Sequence, residues 1–316
     1  MKKVLITGGA GFIASHLIEV FDKSDEEYKL AILDNFSTGR HNSDLLKAHN
    51  VEVHEIDLID IRNHEDLISS FDIVIHLGAM NRAQRSIEDP AGSHEVNVNS
   101  TFYLLEMARK YKFRFVFASS SSVFGNLEVQ PRPESMQPTL PTHPYGLGKL
   151  IGERYCHIYR KLYDLDIRVI RFFSAFGPRQ SPKLKYSAVI PIFIRGFLEK
   201  SPLKIYGGDQ KRNFTFVKDT AKATYLIATS ETCNSDIYQI GGSEEITVVQ
   251  LYEYLREIFG YDVPLEYLDY QKGDILKSEP EMNNLKDEYG FRYTTTLKDA
   301  LKTTAEWMKE NPNYFE

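Results

Sequence analysis

The 316-residue chain predicts an α/β fold: a Rossmann-like, doubly wound parallel sheet carrying a smaller mixed α/β cap. Three observations carry that expectation. Strand and helix patterns alternate over roughly the first half of the chain. The strand runs are short and continuously apolar, as strands covered on both faces are. A glycine-rich turn, Thr7-Gly8-Gly9-Ala10-Gly11, follows the first of these runs and opens a helical pattern.

Element by element, strand runs fall at residues 3–6, 29–33, 51–56, 72–77, 113–117 and 167–172. Between them the helical patterns are clearest at 14–21, 95–111 and 145–163. After Gly177-Pro178 the pattern turns irregular, broken by Pro182, Pro191 and Pro202. Helical segments return at 187–200, 219–230, 247–259 and 296–309. The division expected is a cofactor-binding domain over residues 1–175, also receiving parts of 205–240, and a substrate-binding domain over 176–316. No linker or repeat separates them, so a site between the halves is expected.

Composition excludes several classes. A net charge of −6 opposes a nucleic-acid binder, which needs a basic face. Two cysteines, Cys156 and Cys233, form no disulfide framework and read as core filler in a reducing compartment. The nine histidines lack zinc spacing, so no metal is expected. No apolar run approaches the ~18 residues of a spanning helix, and no signal region opens the chain. A cytoplasmic enzyme without a membrane partner is the expectation.

The glycine turn reads as a phosphate cradle. Gly8 takes the tight turn out of the strand, and Gly11 lets backbone approach a pyrophosphate. The helix entered through Phe12 and Ile13 offers unpaired N–H groups and its positive end. Asp34, in Asp34-Asn35-Phe36-Ser37-Thr38-Gly39, ends the second strand and can accept from the adenosine ribose hydroxyls; it favours NAD over NADP. Arg40 softens that preference unless it is a solvated surface charge. Asp57-Leu58 follows the third strand as a neighbour of the adenine, with a helix N-cap as the alternative for Asp57.

Proton transfer is the second signal. Tyr145 and Lys149 lie four apart and share one helix face. A free phenol, with a pKa of ~10, is a poor base at neutral pH. The expectation is that the ammonium of Lys149 and a nicotinamide beside the pair make the hydroxyl acidic. Ser120, in Ser119-Ser120-Ser121-Ser122, shares the substrate oxygen. Gly146, Gly148 and Gly152 crowd the same helix at ~1 kcal/mol each, which points to close approach by a ligand or a partner element.

Together with His76-Leu77-Gly78-Ala79, Arg171 to Pro178, Ile205-Tyr206-Gly207, Arg212-Asn213-Phe214 and Gly273-Asp274, these motifs resemble the extended short-chain dehydrogenase/reductase family, particularly its nucleotide-sugar epimerases. The likeness runs over nearly the whole chain. It implies a bound NAD, a nucleotide-diphospho-sugar substrate (a UDP-sugar foremost), a homodimer, and 4-epimerisation through a 4-keto sugar. Tyr145 then takes the proton of the sugar 4-hydroxyl, with Ser120 and Lys149 in support. The likeness also implies that Leu77, Gly78, Ala79, Met80 and Phe173 contact the cofactor. Asn81, Arg82, Ser121, Ser174, Arg212, Gln271 and Asp274 fall at substrate positions.

Departures from the family pattern narrow the reaction and open the substrate. Dehydratases and decarboxylases of this kind place an acid just after the serine, whereas Ser121 and Ser122 stand here. That favours an epimerase over a 4,6-dehydratase or a decarboxylase; a 4-ketoreductase, which would consume external NAD(P)H, stays as an alternative. A non-catalytic nucleotide sensor would lack the Tyr145 and Lys149 that are present. Ser174 replaces an asparagine, Gln271 an arginine and Asn213 an aspartate. Arg212 reads as a diphosphate ligand by resemblance and equally as a surface ion pair on its own. Arg82 either meets an anionic group such as a uronate carboxylate or faces solvent at a helix start.

Overall fold

Along the first strand Val4 and Ile6 pack into one apolar cluster while Leu5 packs into another on the opposite side. The pleat therefore buries both faces of the sheet, which only a layer of helices on each side allows. The structure, a computed structural model, describes residues 1–126, 131–138, 140–270 and 276–315. Its central sheet contains β1 (Lys2–Thr7), β2 (Tyr28–Asp34), β3 (Glu52–Glu55), β4 (Ile73–His76), β5 (Arg114–Ser120), β6 (Ile167–Phe172) and β7 (Ile237–Ile240). All pair in parallel, in the spatial order β7-β6-β5-β4-β1-β2-β3. The order reverses between β1 and β4, and ligands bind such sheets outside the strand carboxyl ends at that point.

Helix α1 (Phe12–Asp22) covers one face with Leu17, Ile18 and Phe21. On the other face, beyond the short α2 (Ala83–Glu88), lie α3 (Ser100–Tyr111) and α4 (Pro144–Tyr163). There Leu104, Leu105, Cys156 and Tyr159 meet Val74, Phe115 and Phe117. Helices α5 (Val189–Glu199), α7 (Val248–Phe259) and α8 (Leu297–Glu310) build a separate core around Phe193, Phe197, Leu251 and Leu301.

Six strands fall where apolar runs predict them. The seventh, β7, follows α6 (Val217–Thr229), so the chain leaves the sheet after β6 and returns to it. Ala221 and Ile227 of α6 pack in the same cluster as α1. Sequence reading passes over β7 because it has only four residues, one of them the polar Gln239. That amide is fully buried, and its Nε2 donates to Arg132 O (2.7 Å) and Glu281 O (2.9 Å). Where the chain leaves the sheet, the buried His16 of α1 donates from Nε2 to Pro178 O (2.9 Å) and accepts at Nδ1 from Arg179 (2.7 Å). Burial first, then the Arg179 charge, push this imidazole down to about 3, so it stays neutral.

The three glycines of α4 owe their presence to protein neighbours. A Cβ at Gly152 would stand 2.4 Å from Phe117 Cζ, one at Gly146 2.7 Å from Ser122 O, and one at Gly148 3.3 Å from Asn97 Cβ. The helix thus sits almost on β5. Gly152→Ala should lower stability by about 1–3 kcal/mol despite alanine's better helix propensity, because the fully buried Phe117 ring cannot step aside. Urea unfolding of the two proteins measures the difference.

Candidate active site

At the switch point lies a cleft of about 1210 Å³. Its first wall is the glycine turn. Gly8 has φ 65°, and a Cβ there would lie 2.6 Å from Gly78 Cα, so the loops after β1 and β4 touch backbone to backbone. Gly11 is different. A Cβ on it meets only Gly8 O, at 3.0 Å, and would fill space that no other residue fills. As the N-cap of α1, Gly11 brings no side chain to the first-turn amides, and no acidic residue stands in that turn. The first-turn N–H groups have no side-chain cap, and Phe12, Ile13 and Ala14 line the cleft.

Asp34 closes this end. Its carboxylate accepts from the N–H groups of Ala10 (3.0 Å) and Phe36 (2.7 Å). Burial nevertheless raises its pKa above the usual carboxylate range. Asn35 donates to Asp57 (2.6 Å), and Asp57 also caps the turn that follows it by accepting from Ile59 N (3.1 Å). Asp57 is therefore the N-cap of that turn and also lines the cleft. Ser37, Thr38, Leu58, Leu77, Gly78, Ala79 and Met80 line the same wall. Gly39 does not; with φ 110° it completes the adjoining turn, its N–H on Phe36 O at 2.9 Å. Arg40 is taken up by Glu55 and by the Phe36 ring, 4.2 Å from its guanidinium.

The residues expected to transfer the proton meet at the end of β5. Ser120 and Tyr145 both line the cleft, and Ser120 acts to lower the Tyr145 hydroxyl, while the Ser120 Oγ accepts from Ser122 N at 3.1 Å. His143 caps α4 by accepting from Gly146 N (3.1 Å), and its ring stacks on Tyr145 at 6.0 Å and 9°. Sequence reading missed this cap, although a polar residue before Pro144 at the first helical position was a signal for it. Asn97, in the π-helical turn Glu95–Asn99, was missed as well. It accepts from Met80 N (2.9 Å) and donates to Met80 O (3.1 Å), fixing the loop after β4.

Electrostatics at this end differ from the expectation. Burial raises the Tyr145 hydroxyl; Ser120 and the charge of Arg82, rather than that of Lys149, pull the other way. The Lys149 ammonium lies 4.9 Å from the Phe117 ring centroid and 6.0 Å from that of Tyr145. It has no hydrogen-bond partner among the described residues, and burial lowers it to about 7.

Of the residues assigned to the substrate by resemblance, Asn81, Arg82, Ser121, Ser174 and Arg212 line the cleft with Ser120. Ser174 sits at φ 31° and Arg82 at φ 83°. Gln271 and Asp274 lie outside the described residues. Phe173 is fully buried beside Val123, Phe124 and Leu150; its neighbours Phe172 and Ser174 reach the cleft instead.

The sequence profile of the NAD dependent epimerase/dehydratase family matches residues 4–241. The chain belongs to that family. Among curated relatives, the UDP-N-acetyl-alpha-D-glucosaminuronate decarboxylase of Bacillus cytotoxicus is 30% identical over 99% of each chain. A UDP-N-acetylglucosamine 4-epimerase from Methanobrevibacter ruminantium, solved with UDP-N-acetylmuramic acid, superposes with a TM-score of 0.90 at 30% identity. It covers 98% of this chain and 99% of that one. The UDP-glucuronic acid 4-epimerase of Bacillus cereus, solved with UDP-glucuronic acid and NAD, gives 0.89 at 27% identity, covering 98% and 99%. This is an enzyme of the NAD-dependent nucleotide-sugar epimerase/dehydratase type. The residues fit the cofactor: the empty Cβ position at Gly11, the bare amides behind it and the negative Asp34 suit a pyrophosphate and a free ribose. No described helix is long and apolar enough to cross a membrane, and the described residues hold no cluster of metal-ligating side chains.

The displaced lysine has a measurable consequence. Its ammonium titrates near 7 in the fold and at ~10.4 in an unfolded chain. Between those values the unfolded state binds more protons, so stability rises with pH; below 7 the whole cost of enclosing the cation is felt. Lys149→Met should therefore stabilise the cofactor-free protein by roughly 4 kcal/mol at pH 6, with the gain fading toward pH 10. Denaturant unfolding across that range reads it.

Proposed function

We propose that this chain is a 4-epimerase of nucleoside-diphosphate sugars, UDP-sugars foremost. The observation that carries the reading is the Ser120–Tyr145 hydroxyl pair at the end of β5, with Lys149 one turn further along α4, on a cleft built for NAD. NAD, when bound, supplies the acceptor and donor of a hydride at the sugar C4. Tyr145 takes the proton from the 4-hydroxyl, and Ser120 holds that oxygen in line. After the 4-keto sugar has turned its other face, Tyr145 returns the proton to the same oxygen. Lys149, its ammonium without a hydrogen-bond partner among the described residues, is placed to hold a cofactor hydroxyl and add charge beside the phenolate. Arg212 and Ser174 serve the substrate from the other wall. Solved neighbours bind UDP-sugars, which supports that substrate class.

Relatives include a decarboxylase, and the family name covers dehydratases. A dehydratase needs an acid and a base at C5 and C6. Among the described residues the acids of the cleft are Asp34, Asp57 and Glu95; the first two are engaged at the glycine-turn end, and Ser121 and Ser122 stand where an acid would be required. An exposed apolar stripe on α4, Leu147 (50%), Ile158 (47%) and Leu162 (70%), supports pairing with a second copy.

Tyr145→Phe should retain NAD and fold normally while turnover falls by about 10³-fold. Mass spectrometry of the wild-type product distinguishes the reactions: an isomer of unchanged mass supports epimerisation, whereas loss of water or of carbon dioxide refutes it. Light scattering of the purified protein should give twice the chain mass, and a monomer would remove the pairing through α4.

A further inference from the structure

Arg82 is held where few side chains are held. It precedes α2 with φ 83° and ψ 129°, a region that costs a non-glycine residue about 1–3 kcal/mol and that persists mostly where function needs it. The strain delivers a guanidinium into the cleft beside Ser120 and Tyr145. There it is partly buried, and the charge that acts on it is that of the Tyr145 hydroxyl. Among the described residues it has no hydrogen-bond or ion-pair partner. Arg85, one turn along α2, lines the same cleft and is likewise without an ion pair. A charge withdrawn from water is costly unless it is paired, and the acids of the cleft do not pair with this one. Asp34 and Asp57 are engaged at the far end, and Glu95 accepts from Asn99 at 2.8 Å. The partner has to arrive with a ligand.

We propose that Arg82 is the counter-ion of a carboxylate on the sugar itself, so that the substrate is a nucleoside-diphosphate sugar carrying an acid next to the carbon that reacts. The inference rests on the reading that Tyr145 serves the sugar O4. On a pyranose ring C4 lies opposite C1, so a guanidinium beside Tyr145 stands away from the anomeric diphosphate. The positions it reaches are those flanking C4. One source of the charge is the C5 carboxylate of a uronic acid; the other is an acid carried on an ether at C3. Arginine suits either, because its planar fork pairs both carboxylate oxygens and it stays charged when desolvated. The hydroxyls of Ser121 and Ser122, lining the same cleft, are donors for the remaining lone pairs.

The test compares the NAD-loaded enzyme with its Arg82→Gln and Arg82→Lys variants, each checked for unchanged melting and retained NAD. The substrates are UDP-glucose, UDP-N-acetylglucosamine, UDP-glucuronate and UDP-N-acetylmuramate, followed by proton NMR. The wild type should favour one of the two acidic sugars over its neutral counterpart by at least about tenfold in kcat/KM. Arg82→Gln should lose about 10²-fold more on that acid than on the neutral sugars, which share only the loss of its charge beside Tyr145, with Arg82→Lys in between. Which acid responds tells the C5 source from the C3 source. A wild type that prefers neutral sugars overturns the proposal. So does an Arg82→Gln enzyme that loses all substrates equally with its pH–rate profile displaced, since Arg82 would then act on Tyr145 alone. If no sugar nucleotide is turned over, the epimerase reading fails separately. Calorimetry then still decides the question about Arg82: equal affinity for UDP-glucuronate, UDP-N-acetylmuramate and UDP-glucose overturns it.

Discussion

The site depends on one buried ion pair. Glu153 of α4 and Arg171 of β6 are 3% and 0% exposed and meet through two parallel hydrogen bonds, at 2.9 and 2.8 Å. Ser119 donates to the same carboxylate at 2.5 Å. Three elements are thus pinned at one point: the helix bearing Tyr145 and Lys149, the strand that ends in Ser120, and its neighbour. Glu153 is one helical turn beyond Lys149, and Ser119 immediately precedes Ser120. A slip of the helix along the sheet by one residue would break charged bonds inside the protein, where an unpaired partner costs about 3–5 kcal/mol. Apolar packing alone tolerates such slips far better. The absence of side chains at Gly146, Gly148 and Gly152 lets the helix come close enough for the pair to form.

The far end of the cleft is tied down by neutral bonds. Thr7 Oγ1 meets His76 Nδ1 at 2.7 Å and accepts from Gly78 N at 3.2 Å, while His76 Nε2 meets Thr101 Oγ1 at 3.1 Å. These residues are buried, and burial holds the imidazole far below its ordinary pKa. The ends of β1 and β4 are therefore joined where the strand order reverses. A charged group there would compete with an anion for the amides of α1; an uncharged network leaves the helix end to the ligand.

What could be read from the residues alone is what local pattern determines. Continuous apolar runs marked β1 to β6, and the turn at Gly8 and Gly11 marked the cradle, because both follow from backbone rules within a few residues. β7 was not legible, since Gln239 is buried only by virtue of Arg132 and Glu281, which lie far along the chain. Phe173 and its neighbours illustrate the same limit: resemblance pointed to the region, but side-chain alternation past the end of β6 decides that Phe172 and Ser174, not Phe173, reach the cleft. The glycines of α4 were recognisable as a cost that something must offset. That the offset is Phe117, Ser122 and Asn97 is a tertiary fact.

The same enclosure acts on both members of the proton-transfer pair, and in opposite directions on their pKa values. It raises the Tyr145 hydroxyl and lowers the Lys149 ammonium, so each is driven toward its neutral form. The Lys149 ammonium gives up its proton near neutrality. A guanidinium does not surrender its proton in this range. With Arg82 the positive potential at the reacting oxygen persists across the pH range in which Lys149 titrates. That fixed charge also attracts whatever anion the ligand brings. On the proposed reading, charge for the base and charge for the substrate come from one side chain, held by a backbone conformation that arginine adopts only under constraint.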